Sequence, residues 1–177
     1  MNAAKIDGNE RLRRGLAGGA AAGAVAGLVL AAFLTVMNLT HGKDLWVALK
    51  GAALPFLGAR AAQPGFDALA VCLGVVCHFA VSIGWGILFG VIVYGLSRNL
   101  TPVAGAVWGI VVWLGMYYVL LPAVGAGEVT RATPVSNAIV THLLFGISLV
   151  WFAAPPLAID SIAFKTPVAR SSTSPLT

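Results

Sequence analysis

Acidic side chains are nearly missing from this chain. Six Asp and Glu stand among 177 residues, and none falls inside four long apolar runs at 15–39, 68–97, 102–121 and 135–154. That absence removes an acidic proton relay from those runs, and it removes any carboxylate that would complete a metal shell there. Catalytic signatures are missing as well: there is no Gly-x-Ser-x-Gly, no phosphate-binding glycine loop and no His-Glu-x-x-His. The carboxylates Asp44 and Glu128 lie in connections and are expected to be solvated, so the chain reads as a non-enzyme. Cysteine is scarce too. Cys72 and Cys77 stand five apart in one run, which points them in different directions, and they are expected to be buried structural thiols.

What is present is apolar surface. Hydrophobic residues make up 59% and charged residues 10%, a balance outside the soluble range, and the 21 glycines suit membrane helices. The net charge of +5 is scattered through short connections rather than laid out as a stripe, so a nucleic-acid surface is not expected. The expected fold is all-α: a four-helix membrane bundle forming a single domain over 15–155. A basic cytoplasmic segment, 1–14, precedes it, and a largely disordered cytoplasmic tail, 156–177, follows. The first run is long for a signal-peptide core and no small-x-small site follows Met37, so it is expected to remain as a span.

Orientation follows from the basic residues. Four spans put both termini on one side, with Lys5, Arg11, Arg13, Arg14, Arg98, Lys165 and Arg170. The other side has Lys43, Lys50, Arg60 and Arg131. An excess of seven over four places both termini in the cytoplasm. The longest connection, 38–67, contains an expected short amphipathic helix with Leu45, Trp46, Leu49 and Ala53 on one side. Trp46, Lys43 and Lys50 there are suited to the headgroup layer. Trp113, Tyr117 and Tyr118 read as an aromatic belt at the end of the third run.

Small residues recur at four-residue steps. Gly15, Gly19, Gly23 and Gly27 lie on nearly one face of the first run, a glycine zipper. Ser82, Gly86 and Gly90, continued by Tyr94, follow His78 in the second; Gly105 and Gly109 mark the third, and Gly146 the fourth. Hydrocarbon supplies little hydrophobic force between helices, so close backbone contact must supply the association. These positions are read as packing faces.

Three histidines are the candidate ligand residues. His78 and His142 fall in the outer halves of the second and fourth runs, and His41 lies at the outer end of the first. The segments His78-Phe-Ala-Val-Ser-Ile-Gly and His142-Leu-Leu-Phe-Gly-Ile-Ser echo one another, a sign of a duplicated two-helix unit. An imidazole within a membrane is costly and faces protein. Three uses are open: hydrogen bonding between helices, ligation of haem b or a metal ion, or a path for protons or solute.

On these features, together with Phe79, Tyr94, Leu143 and Phe145, the chain resembles the YagU-like bacterial inner-membrane proteins of unknown function. The likeness covers most of residues 15–154. It implies a four-helix inner-membrane protein with no established activity, and a link to acid stress. The expected role is a structural or accessory component of a membrane assembly, embedded in the lipid bilayer and working as a homo-oligomer or with a membrane-complex partner. The alternatives are a haem- or metal-binding redox subunit, and an oligomeric transporter or channel.

Overall fold

A computed structural model describes residues 3–93 and 101–153; residues 94–100, with Tyr94 and Arg98, and those from 154 on lie outside the described residues. Among the described residues the chain is helical throughout, with no strand. Helix α1 spans Ala3–Thr40 and α5 spans Ala68–Val93. Between them stand three short helices, α2 (Trp46–Gly51), α3 (Leu54–Leu57) and α4 (Ala59–Ala62). Helix α6 (Thr101–Leu114) continues through a π-helical turn, Gly115–Leu120, into α7 (Leu121–Ala123). A short α8 (Gly127–Ala132) then leads to α9 (Val135–Ala153). Three stretches are long and apolar enough to cross a membrane: Gly8–Thr40, Ala68–Val93 and Pro102–Ala123. The helical part of α1 begins at Ala3, so the basic residues near the start continue the first helix.

Small residues bring α1 and α5 together in antiparallel register. A Cβ added at Gly19 would lie 2.5 Å from the Gly86 carbonyl oxygen, and one at Gly23 would lie 2.5 Å from that of Ser82. Gly15 meets Gly90 in the same way, and Gly27 meets the Ser82 side chain at 2.9 Å. Helices α6 and α9 repeat the device, with Gly105 against Gly146 and Gly109 against the His142 carbonyl. The two pairs join where fully buried Ala22 and Ala26 of α1 meet Phe145 and Leu149 of α9. The remaining seam, α5 to α6, is different. Large side chains fill it: Trp85 and Trp108 meet edge to face at 5.9 Å, and Phe89 and Trp108 at 6.0 Å.

The connection 41–67 folds into a cap on the end of the bundle. Asp44 accepts hydrogen bonds from the N–H groups of Trp46 and Val47 at 2.8 and 3.1 Å, which starts α2, and from that of Gly65 at 2.7 Å. These backbone donors, the one on Gly65 foremost, hold its carboxyl below the usual range. Lys50, expected among headgroups, is instead 1% exposed and donates to the carbonyls of Gln63 and Gly65, the latter at 2.7 Å. Gly65 sits at φ +84°, where a side chain would be strained. Asp67 closes the cap, binding Arg60 at 2.7 Å and accepting the Ala70 N–H at 3.1 Å as α5 begins. Arg60 is the larger cause that depresses its pKa from 3.8 to about 2. Ala53, Ala61 and Ala70 form a small core beneath. The expected short helix is present as the six-residue α2, but it packs inward, where the Leu49 carbonyl presses on Gly74 of α5.

Two outcomes test this packing. Gly19→Ala should cost about 1–3 kcal/mol by forcing backbones apart. Gly18→Ala, with open space around it, should be neutral or gain up to about 1 kcal/mol of helix propensity. Unfolding in mixed micelles measures both, and equal effects would refute the close-approach reading. In the cap, Lys50→Met leaves two carbonyls without their donor, at about 1–3 kcal/mol. Proteolysis between 41 and 67 should then quicken while the long helices stay protected.

Candidate functional site

The row along one face of α5 organises the site. Gly74, His78, Ser82, Gly86 and Gly90 stand at four-residue intervals, so they lie one above another. All but His78 are buried, and His78 is partly so. Its Nε2 lies 2.8 Å from the carbonyl oxygen of Gly27, which ties α5 to α1 across the glycine contact. A carbonyl only accepts, so in the neutral ring Nε2 carries the proton and Nδ1 keeps a lone pair.

His142 is held by its own helix. Its Nδ1 lies 2.7 Å from the Ala138 carbonyl oxygen, and Tyr117 packs edge to face on the ring at 5.7 Å. The same argument puts the proton on Nδ1 and leaves Nε2 as the acceptor. Helices α5 and α9 scarcely touch, yet both histidines line one cavity of about 320 Å³. Its remaining wall is nearly all apolar and includes Trp85, Met116 and Phe145, while Ala52, Pro55 and Phe56 of the cap close one end. The volume sits at the lower edge of small-molecule sites.

The π-helical turn shapes this space. A π turn adds a residue to the helical circuit and shifts the side chains that follow. Met116, Leu120 and Leu121 thereby line the cavity, and the Trp85 indole N–H donates to the Met116 sulfur at 3.3 Å. Tyr117 packs on the His142 ring and, at 6.4 Å, on Trp113.

Two clefts adjoin the cavity. One, of about 460 Å³, opens beside His41, Lys43, Asn38 and Asn137, and shares His142 and Leu30 with the cavity. There His41 is exposed, its Nδ1 2.7 Å from the Met37 carbonyl oxygen, and it does not reach the cavity. The other is a shallow apolar groove of about 620 Å³ along α5 and the π turn. It shares Val81, Trp85 and Leu120 with the cavity, so one wall separates the inner space from the molecule's outer face.

Cys77 lines the cavity, but Cys72 is exposed, so the expectation that both thiols are buried fails: Cys72 falls on the outward side of α5. Among the described residues no three of His, Cys, Asp and Glu come together as a metal cluster. Sequence reasoning missed Gly74, Lys50, Trp85 and Met116. Gly74 alone carried a signal, being one step earlier on the small-residue row.

A protein all-helical among the described residues, with apolar helices of membrane-spanning length and an apolar cavity lined by two imidazoles, is the class these features define. The chain belongs to DUF6789, a family of unknown function whose model matches residues 13–155. The match supports an uncharacterised family rather than the YagU-like one in particular. No curated protein and no solved structure matches the chain.

The histidine bonds differ in reach, and that is testable. His78→Leu removes a link between helices and should cost about 0.6–1.7 kcal/mol in mixed micelles. His142→Leu removes a bond within one helix and should cost clearly less. The reverse order would mean that the Gly27 contact does not hold α1 to α5.

Proposed function

We propose that this protein is a non-enzymatic, four-span component of the bacterial inner membrane that holds a small apolar molecule drawn from the bilayer. The observation that carries the reading is the cavity's position. It lies beside the α5–α6 seam, which aromatic side chains close, and it shares Val81, Trp85 and Leu120 with a groove on the outer face. In a bilayer that groove faces lipid, and the shared wall is a lateral entrance. Helix α9, at nineteen residues, extends about 28 Å and supplies the fourth span. Both termini are cytoplasmic on the balance of basic residues, and the glycine rows serve as zippers. An accessory role within a larger membrane assembly, or as a homo-oligomer, fits a chain whose outward apolar surface is so extensive.

A second reading has its own support. A histidine that ligates iron commonly donates its other N–H to a carbonyl, as both His78 and His142 do here. If haem b were held between them, purified protein would show a Soret band that His78→Gln abolishes with the fold intact.

Methionine methyl resonances test the first reading, because Met116 lines the cavity while Met37 lines only the adjoining cleft. Hexylbenzene should shift the Met116 methyl saturably and leave Met37 unmoved. Ala80→Phe, at an exposed position on the cavity rim, should abolish the shift without unfolding the protein. An unresponsive Met116 in the unmutated protein would end the reading.

A further inference from the structure

We infer that the occupant of this cavity is a neutral molecule with a hydroxyl donor, a phenol or an alcohol on an apolar body. The inference rests on the binding role proposed above and adds the chemistry of the head group. It starts from the two carbonyls. Gly27 fixes the proton of His78 on Nε2, and Ala138 fixes that of His142 on Nδ1. Each ring is thereby committed to one tautomer, with one nitrogen left, Nδ1 on His78 and Nε2 on His142. Neither remaining nitrogen has a donor closer than 3.5 Å among the described contacts. The polar complement of an otherwise apolar space is therefore these two acceptors beside the Ser82 hydroxyl, which can both donate and accept.

Acceptors choose among ligands by what they repel. An ionised carboxylate could take the Ser82 proton but has none to give to the two imidazole lone pairs and would shed its hydration into an apolar wall, so a fatty acid anion is disfavoured. An ammonium group has donors but would shed its hydration into an apolar wall, with no carboxylate lining the cavity to pair with it. A pure hydrocarbon fits the wall and leaves both nitrogens unmatched. A neutral hydroxyl satisfies an acceptor at small desolvation cost, while its apolar body fills the space beside Trp85, Met116 and Phe145. The entrance at Val81 and Leu120 lets a longer chain extend towards the outer groove.

The measurement uses full-length protein with ¹⁵N-labelled histidine in nanodiscs, titrated with 4-hexylphenol, with its methyl ether 4-hexylanisole, and with 4-hexylbenzoate. Without ligand, His78 should show its proton on Nε2 and His142 on Nδ1. With 4-hexylphenol the unprotonated nitrogen of His78 or His142 should move upfield saturably while His41 stays put. The ether should still shift the Met116 methyl but bind about two- to tenfold more weakly, the range one neutral hydrogen bond spans. The benzoate should bind more weakly than either. If phenol and ether bind equally and no imidazole nitrogen moves, the hydroxyl-donor inference is wrong while the cavity reading stands. If no compound moves Met116, the cavity reading itself falls. A proton found on Nδ1 of His78 and Nε2 of His142 overturns the inference before any ligand is added.

Discussion

Close approach of two backbones is the constraint from which the rest follows. Helices in hydrocarbon gain little by hiding apolar surface from one another, so they adhere through van der Waals contact at short range. Side chains hold backbones apart; their absence at Gly19, Gly23, Gly86 and Gly90 lets α1 and α5 meet at distances a methyl group would forbid. Once that contact is made, the Gly27 carbonyl falls within reach of His78, and the row that continues to Gly74 receives the cap. The imidazole's tautomer is thus a remote outcome of glycine spacing.

The cap follows a different logic. It buries an ammonium group against the backbone carbonyls of Gln63 and Gly65, with the Asp44 carboxylate near enough for the two charges to attract. Asp44 answers from the same small fold by binding the Gly65 N–H, so one peptide segment is gripped at both its donor and its acceptor. Arg60 and Asp67 tie the last turn of the cap to the first turn of α5. A surface loop becomes in this way a wall of the cavity, with Pro55 and Phe56 facing the space that His78 lines.

The helical class and three long apolar helices were legible in the sequence because composition and run length carry them directly. The rows of small residues were legible as rows. Which helix each row meets was not, because spacing within one helix says nothing of its partner's identity. The histidines were visible as an echoing pair, but the cavity they share depends on α1, the π turn and the cap together. A π turn leaves no periodic mark, since it adds one residue to a single circuit, so the roles of Met116 and Tyr117 were hidden. Lys50 misled for a plain reason: a lysine beside Trp46 in a loop has the composition of an interfacial residue, and only tertiary carbonyls show otherwise. Cys72 and Cys77 show the same limit, because facing lipid and facing protein look alike in an apolar run.

One feature of the packing sets how the molecule yields. Two of its four seams, α1 to α5 and α6 to α9, are closed by small residues at near-contact, where displacement meets a steep repulsion. The seam between α5 and α6 rests on the rims of Trp85, Trp108 and Phe89, which slide and tilt at small energy cost. Stiffness is therefore uneven around the bundle, and displacement is easiest at the aromatic seam. A lateral load would widen or narrow the space beside Trp85 before the glycine contacts changed register.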